Sequence, residues 1–327
     1  MLIIRRHHTD PYFNIATEEY VLKEIPEDSF MLWRNEPSII VGKHQNTLAE
    51  INLDYVKQNN IKVVRRLSGG GAVFHDLGNL NFTFTMKSED ENLINFRKYT
   101  DPIIEVLQSL DVDARFEGRN DLTIEGKKFS GNAMHIWKNK VLSHGTLLFS
   151  SHMPDLGAAL NADPVKFKDK AVKSVRSRVT NISDHLKQPM DVMQFADLIG
   201  EYIVSKYPDA QFYELNEKDH SRINELVKTK YGTWDWNFGY SPIYNFKKIL
   251  RTESSGTIEF DLDVSDGIIR SIKIFGDYFN KFDTEDIEKA LLNVPHNQEK
   301  IMEALTRFRI SDYFNNLAME EFLQGLF

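Results

Sequence analysis

Short apolar runs separated by polar turn residues are the first pattern visible along the chain. Five runs before residue 90 are rich in β-branched and aromatic residues and predict strands: FMLWR, PSIIVG, IKVVRR, GAVFH and NLNFTFTM. Residues 121–149 fit three more strands, broken at Glu125-Gly126 and Lys138-Asn139. Because such short turns join strands that pair with each other, this segment predicts an antiparallel meander.

Helical spacing of apolar residues occurs in two longer segments. After the capping pair Asp10-Pro11, one helical face would carry Phe13, Ala16 and Tyr20, which predicts an early amphipathic helix. Residues 191–207 open with a capping-box pattern and continue with an apolar stripe, which predicts a second helix. Together with the strands, these helices indicate an α+β fold with a mixed, mainly antiparallel sheet.

A second, smaller domain is predicted at the C-terminal end. Residues 230–246 are rich in aromatic and turn-forming residues without a clear period, which suits a connection between domains. Beyond them, a hairpin around residues 265–267 and three helical patterns form a small α+β unit. We therefore expect a large domain over residues 1–246, ending in this linker, and an accessory domain over residues 247–327.

Composition excludes several classes of protein. Hydrophobic residues make up 41% and charged residues 27% of the 327 residues, and no apolar run is long enough to span a bilayer. The formal net charge of -8 argues against general nucleic-acid binding. With no cysteine in the chain, disulfides, thiolate metal sites and thiol nucleophiles are excluded. The N-terminus lacks the apolar stretch of a secretory signal, which predicts a cytoplasmic protein.

The stretch RRLSGGGAVFHD is the most unusual segment, because three consecutive glycines follow two arginines between predicted strands. Glycine costs backbone entropy, so a fold keeps such a run mainly where side chains would obstruct a close approach. Bare N–H groups of Gly69, Gly70 and Gly71, flanked by Arg66 and Ser68, could hold an anion. The alternative is a tight strand connection, and neither a Walker A nor a dinucleotide-binding motif is present to decide between the two.

Two further clusters contain basic residues. Residues 164–178 could bind a nucleotide or an acidic partner, although an isolated charge run is more often a solvated surface. Their charged side chains are Lys166, Lys168, Lys170, Lys173, Arg176 and Arg178, with Asp169 as the acid. In GRNDLTIEGKKFSGNAMH, Asn120 and Asp121 open a strand and Lys128 follows the hairpin turn. Such a lysine could neutralise a phosphate and a carboxylate together, although most hairpin lysines are simply solvated.

Two histidines and an aromatic residue complete the set of candidates. His75 and His144 lie on apolar strand segments, where a hydrogen-bonded core histidine is more common than a metal ligand. Neither H-E-x-x-H nor another paired-ligand spacing for zinc occurs. Trp33 is either a core aromatic or the wall of an acyl pocket, and composition alone does not distinguish these roles.

Four blocks, taken in order, resemble the signature blocks of lipoate-protein ligases: RRLSGGGAVFHDLGNLNFTF, GRNDLTIEGKKFSGNAMH, LSHGTLLF and KSVRSRVTNI. TWDWNFGYSP and IKIFGDYF are similar to the linker and accessory domain of the long bacterial form, so the resemblance covers essentially the whole chain. It implies the catalytic-domain fold of biotin and lipoate ligases. It also implies a two-step reaction, in which lipoate or octanoate reacts with ATP to give acyl-AMP, and an acceptor lysine then takes the acyl group.

The resemblance also implies roles for individual residues. Lys128 matches the family's invariant lysine and would act electrostatically, binding the acid's carboxylate and the α-phosphate together. Asp121 would contact Mg²⁺ or the ribose. The ATP and adenylate site would comprise Arg66, Ser68, Gly69, Gly70, Gly71, Ala72, Val73, Phe74, Asn120, Asp121, Lys128, Arg176 and Arg178. The lipoate tunnel would be lined or bordered by Trp33, Arg66, Gly71, Val73, His75, Lys128, Gly131 and His144. Asn81 departs from the small residues common in the family and affects the fine shape of the tunnel.

The expected acceptors are lipoyl domains of 2-oxoacid dehydrogenase acyltransferase subunits and the glycine cleavage H protein, with no nucleic-acid or membrane partner. Acyltransferases of the same superfamily use a cysteine nucleophile, which this chain lacks. Biotin protein ligases have a different glycine and arginine block. The alternative function is a non-catalytic module that binds lipoate or lipoyl-AMP.

Overall fold

The computed structural model describes residues 1–5, 8–88, 95–152, 157–160, 179–241, 244–252, 256–276, 282–314 and 317–327. Contacts divide these residues into two units. The first unit holds the described residues within 1–43, 59–160 and 174–233, and the second holds those within 44–58 and 234–327. Within the described ranges, no helix combines the length and apolar character needed to cross a bilayer.

The helices and strands follow one another along both units. In chain order they are β1 (Leu2–Arg5), α1 (Pro11–Glu24), β2 (Ser29–Trp33), β3 (Ser38–Val41), α2 (Thr47–Glu50), α3 (Leu53–Gln58), β4 (Lys62–Arg65), β5 (Val73–His75), β6 (Asn79–Lys87), α4 (Phe96–Ser109), β7 (Ala114–Glu117), β8 (Asp121–Ile124), β9 (Lys127–Trp137), β10 (Lys140–Leu148), α5 (Val192–Lys206), β11 (Gln211–Tyr213), α6 (Glu217–Leu226), β12 (Tyr244–Thr252), β13 (Gly256–Ser265), β14 (Ile268–Gly276), α7 (Glu285–Leu291), α8 (Gln298–Leu305), α9 (Ile310–Tyr313) and α10 (Met319–Leu326).

Two sheets organise the described residues of the first unit. The larger has the strand order β11-β1-β2-β6-β10-β9-β8-β7, in which β1 is parallel to both neighbours and the other pairs are antiparallel. The smaller has the order β4-β3-β5. These sheets confirm the predicted α+β class. The meander turns fall at the predicted positions, and Glu125, Gly126 and Lys138 adopt the positive φ angles that tight turns require.

The larger sheet has an apolar face and a polar face. Phe82 and Phe84 of β6 are fully buried in a core that also contains Tyr99 of α4 and Phe195 of α5. Thr83, between the two phenylalanines, is directed to the opposite face because strand side chains alternate. There it meets α1, which also contacts β10. Helices therefore cover both faces, and the polar face lies under α1.

Helix α1 begins where the sequence predicted, but it is buried on nearly all sides. The side chain of Asp10 caps it by accepting a hydrogen bond from the backbone N–H of Phe13 (2.9 Å), and Pro11 is its first residue. The expectation of an amphipathic helix was wrong, because the sheet covers one side and α6 another. Its buried polar side chains are Asn14, Thr17, Glu18 and Glu19. Helix α5 carries the predicted capping box of Asp191 and Gln194.

The second unit contains the antiparallel sheet β12-β13-β14 and the described helices α7 to α10. Its hairpin turns at Asp266 and Gly267, both with positive φ, where the sequence predicted a turn. Residues 44–58 also belong to it, since the Thr47 hydroxyl donates to the carbonyl of Asn237 (2.6 Å). The sequence predicts this segment within the large domain of residues 1–246. The domain boundary near residues 230–246 remains a prediction.

Gly145 of β10 tests the packing of the larger sheet. A Cβ atom there would lie 2.1 Å from Asn132 Oδ1 and 2.6 Å from the ring of Phe82. Gly145→Ala is therefore expected to lower the free energy of unfolding by about 1–3 kcal/mol, measured by urea denaturation. Gly200→Ala is the control, because a Cβ atom on Gly200 meets no atom within 4 Å outside its own helix. It should raise stability by about 0.5–1 kcal/mol, and equal stabilities of the two variants would contradict this packing.

Candidate active site

The glycine run connects β4 to β5 and wraps around the buried side chain of Arg66. Nη2 of Arg66 donates to the carbonyls of Gly69 (2.7 Å) and Gly71 (2.8 Å), and Nη1 donates to the carbonyl of Ile40 (3.0 Å). Burial lowers the pKa of Arg66 to about 10, so the guanidinium stays charged at neutral pH. Gly70 has a φ of +94°, and a Cβ atom there would lie 3.1 Å from the guanidinium. The loop therefore requires glycine at this position.

Arg66 thus has a structural role that the sequence did not indicate. Its Nε also donates to Ser68 Oγ (3.0 Å), so four hydrogen bonds hold its guanidinium inside the loop. The prediction that the glycine run joins two strands is confirmed. The predicted contacts of Arg66 and Ser68 with a nucleotide remain predictions, and through these hydrogen bonds Arg66 shapes the loop.

A buried chain of hydrogen bonds continues from Ser68 across the polar face of the sheet. His144 Nε2 lies 2.6 Å from Ser68 Oγ, and His144 Nδ1 lies 2.9 Å from Glu18 Oε1. The same oxygen of Glu18 accepts a hydrogen bond from the hydroxyl of Thr83 (2.6 Å). The hydroxyl oxygen of Thr83 accepts from Trp33 Nε1 (2.9 Å). Ser68, His144 and Trp33 were all predicted site residues, and this chain connects them.

His75 presents an unpaired donor beside this chain. Its Nδ1 lies 3.1 Å from Asn35 Nδ2, and the Asn35 carbonyl oxygen accepts from Asn14, so Nδ1 is the acceptor and Nε2 carries the proton. Nε2 is buried and has no partner among the described residues. Burial lowers the pKa of His75 to about 3, and the charge of Arg66 adds to the effect. The ring packs edge-on against Trp33, with 5.9 Å between centroids. A buried unpaired N–H suits a ligand contact.

Lys128 lies at the other end of the candidate site, on β9. Its Nζ is 2.8 Å from Asp121 Oδ1, and both side chains keep about a third of their surface exposed, 29% and 35%. The ammonium crosses above Gly131, where a Cβ atom would lie 3.0 Å from Nζ. A register shift between Leu122 and Thr123 of β8 accompanies this arrangement. The ammonium is thus held in place by Asp121 and remains open to solvent.

Strand pairing joins the two ends of the site. The N–H of Gly131 donates to the hydroxyl of Thr146 on β10 (3.2 Å), and Ala133 pairs with His144. The Lys128 side chain lies across Gly131, and Ala133 adds only a methyl group between Lys128 and His144. Asn120 stands beside this strand, where its side-chain amide donates to the carbonyl of Asn132.

Not every predicted residue comes to this surface. Val73 and His75 share one face of β5, whereas the buried Phe74 is directed to the opposite face. Its side chain therefore cannot line the same surface as Val73 and His75. Ala72 is buried within the loop. Arg176 and Arg178 lie outside the described residues.

Sequence analysis missed Glu18, Thr83 and Asn35. Each is polar and buried, and each holds a predicted site residue by a hydrogen bond. The available signal was the pair of acids in the otherwise apolar stretch around Glu18, but that pattern also suits a solvated helix face.

A metal site is not preformed within the described ranges, where no group of three or more histidine, aspartate or glutamate side chains converges. Asp121 offers a single carboxylate and is paired with Lys128. Mg²⁺ commonly binds through one or two carboxylates together with substrate phosphates. Asp121 fits that mode of binding.

Comparison with known proteins finds matches along both parts of the chain. Residues 10–204 match the family model of the lipoyl protein ligase A/B catalytic domain, and residues 241–326 match that of the bacterial lipoate protein ligase C-terminus. Lipoate–protein ligase 1 of Staphylococcus aureus is 44% identical over 97% of this chain and 96% of its own.

Two solved structures are also similar. A structure from Thermoplasma acidophilum, described as a bi-partite lipoate protein ligase and its E2 lipoyl domain, has a TM-score of 0.65 and 30% identity over 73% of this chain and 96% of its own. A lipoate-protein ligase A bound with ATP has a TM-score of 0.64 and 26% identity over 73% of this chain and 98% of its own.

The pKa of His75 gives the site an acid-sensitive contribution to stability. The unfolded chain binds a proton at this histidine near pH 6.5, whereas the folded protein does so only near pH 3. The contribution of neutral His75 to the free energy of unfolding is therefore fully present above pH 6.5. It falls as the pH drops toward 3, by up to about 1.4 kcal/mol per pH unit. We expect His75→Asn to lose less stability between pH 7 and 5 than the wild type, measured by urea denaturation. Parallel losses in the two proteins would contradict a buried neutral His75.

Proposed function

The chain belongs to the lipoate-protein ligase family, and we propose that it activates lipoate with ATP and transfers the lipoyl group to a lysine of an acceptor lipoyl domain. The observation that carries this proposal is the ammonium of Lys128, which Asp121 holds above Gly131 at the open end of the polar face. Matches over both parts of the chain support the assignment to the long form of the family.

In the first step, a carboxylate oxygen of lipoate attacks the α-phosphorus of ATP, and the bond to the pyrophosphate leaving group breaks. Both reactants are anions, so their approach needs a positive group between them. Lys128 supplies it, binding the carboxylate and the α-phosphate together and offsetting the charge that builds in the transition state. Before the substrates bind, the ion pair with Asp121 orients the ammonium of Lys128. An ATP-bound relative supports ATP as the substrate.

In the second step, the amine of the acceptor lysine attacks the acyl carbonyl carbon, the bond to AMP breaks and the amine loses a proton. The similar Thermoplasma structure, described with an E2 lipoyl domain, supports this class of acceptor. We extend the proposal to lipoyl domains of 2-oxoacid dehydrogenase acyltransferases and to the glycine cleavage H protein. Octanoate is proposed as an alternative acid, and the cytoplasm as the location.

The rest of the site accounts for binding of the acid. The lipoyl tail is apolar with a ring at its end, and it requires an enclosed pocket with few polar groups. Trp33, His75 and His144 are the proposed walls of this pocket, and Ala133 adds only a methyl group between His144 and Lys128. Glu18 and Thr83 act as positioning residues, because they hold His144 and Trp33 in place.

Mg²⁺ is proposed to accompany the ATP phosphates, with Asp121 as the protein ligand. The ion would neutralise phosphate charge as pyrophosphate leaves. Asp121 would then be shared between the ion and the ammonium of Lys128.

Lys128→Ala tests the proposed chemistry. We expect the rate of lipoate-dependent exchange of pyrophosphate into ATP to fall by about 10²–10³-fold, because the transition state loses its charge partner. Lys127→Ala is the matched control, since Lys127 is the neighbouring lysine of β9 but is exposed. This variant should keep the exchange rate, and mass spectrometry of an offered lipoyl domain should find one added lipoyl group.

The alternative function is a module that binds lipoate or lipoyl-AMP without catalysis. Wild-type protein that binds lipoate but catalyses no exchange would favour that alternative and remove the proposed function. Equal losses in the Lys127 and Lys128 variants would remove the proposed role of Lys128 while leaving the reaction intact.

Glu18→Ala tests the positioning role. It leaves His144 Nδ1 and the hydroxyl of Thr83 without their shared acceptor, so the walls of the acyl pocket lose their fixed positions. An unpaired buried group costs about 1–3 kcal/mol, so the KM for lipoate should rise about tenfold or more. Glu18→Gln retains one acceptor oxygen and should show a smaller rise. A change in kcat alone would contradict a role in positioning the acid.

A further inference from the structure

We propose that residues 133–137 of β9 form the docking surface for the acceptor, a lipoyl domain. One strand of that domain pairs with the edge of β9 that faces away from β10, where the described residues contain no strand. This inference rests on the proposed function, because it concerns the partner of the second step. Its basis is the change of partner along β9, the exposed side chains beside the free edge, and the position of that edge next to Lys128.

β9 changes its pairing partner halfway along its length. Its first half pairs with β8, from Lys127 to Gly131, and its second half pairs with β10, from Asn132 to Trp137. Pairing on the β8 side ends at Asn132, whose N–H donates to the carbonyl of Asn120 (3.0 Å) and whose carbonyl accepts from the Asn120 side chain. No described strand continues along that side of the second half.

Backbone groups of this second half are directed outward. The N–H and C=O of alternate strand residues face the same side, so those of Met134 and Ile136 point the same way as those of Asn132. Neither residue has a backbone partner on that side among the described residues. An open row of donors and acceptors is a template for a strand of another chain.

The side chains beside this edge are apolar and basic. Ile136 and Trp137 keep 37% and 38% of their surface exposed, and because strand side chains alternate they flank the edge on opposite faces of β9. The ammonium groups of Lys23, which is paired with Glu19, and of Lys138 lie 4.4 and 5.8 Å from the ring centroid of Trp137. Exposed Arg119 precedes Asn120 in the turn that ends the β8 pairing. The edge therefore suits a strand that carries acidic side chains, although the whole chain has a net charge of -8.

The distance from this edge of β9 to the reacting atoms indicates that the partner bound there is the acceptor lipoyl domain. An acceptor lysine has a stem of four methylenes, so the acceptor backbone must come close to the acyl carbonyl bound at Lys128. Gly131 lies below the ammonium of Lys128, and Ile136 is five residues further along the same strand, roughly 17 Å away. A domain that pairs with this edge would reach the site directly. The two terminal strands of the sheet are β7 and β11. β11 lies five strands away from β9, and neither terminal strand carries a predicted site residue.

Kinetics with matched variants test the surface. Ile136→Asp should raise the KM for a purified apo lipoyl domain by about tenfold, because it places a charge in a desolvated contact, while lipoate-dependent pyrophosphate exchange stays at the wild-type rate. Phe212→Asp is the control, because Phe212 is also an exposed apolar residue on an edge strand of this sheet. It should leave both measurements unchanged. Unchanged acceptor KM in the Ile136 variant would overturn the proposal.

Amide hydrogen exchange tests the strand pairing itself. The enzyme, loaded with lipoate and ATP, is mixed with a lipoyl domain whose target lysine is replaced by arginine, so that the complex cannot react. Exchange at Met134 and Ile136 should slow by about tenfold or more, with no change at Phe212. Protection confined to other segments would overturn the proposal. So would equal protection in the concentrated enzyme alone, which would assign the edge to a second copy of this chain.

These outcomes are separate from failure of the proposed function. If the wild type catalysed no lipoate-dependent exchange and no transfer, the proposed function itself would be wrong. If exchange and transfer proceed normally and only the Ile136 and protection results are negative, the ligase activity stands and this docking surface is rejected.

Discussion

The buried carboxylate of Glu18 constrains the arrangement of the candidate site. A charge taken out of water is stable only when its oxygens are paired, and here His144 and Thr83 supply the partners. The ring of His144, fixed in this way, sets the position of Ser68, and Ser68 in turn accepts from the guanidinium of Arg66. The glycine loop folds around that guanidinium. Each of these side chains is positioned by its predecessor, so the glycine loop and the proposed acyl pocket are parts of one hydrogen-bonded structure.

This polar chain is possible because the sheet separates two kinds of interior. Along β6 the phenylalanines at 82 and 84 face an apolar core, and Thr83 faces α1. The apolar core stabilises the fold by burial, so the polar face is free to serve binding. On that face His75 keeps one N–H unpaired, while the neighbouring polar groups of Asn35 and Trp33 are satisfied. A buried, unpaired N–H among the candidate site residues suits a ligand contact.

Local patterns predicted most of the fold, and longer-range contacts account for what they missed. Turn residues such as Gly126 and Lys138 determine the meander through their own backbone angles, so the sequence sufficed for it. The glycine run stood out because three consecutive glycines between strands are unusual, whereas Lys128 was identified through the resemblance to lipoate-protein ligases. Glu18 did not stand out, because its role depends on a hydrogen bond with His144, which lies 126 positions away in the sequence. The assignment of residues 44–58 to the second unit also depends on distant contacts, such as that of Thr47 with Asn237.

The change of partner along β9 connects the chemistry to the sheet. Where β9 pairs with β8, the register shift accompanies Lys128 lying above Gly131 with Asp121 beside it. Where β9 pairs with β10, its opposite edge is left without a described strand. A strand paired on both edges throughout would have no free edge beside the ammonium, and a strand paired with β8 alone would not carry the site across to His144. The position of Lys128, the proposed catalytic lysine, and the accessibility of the neighbouring edge therefore arise from the same feature of the sheet.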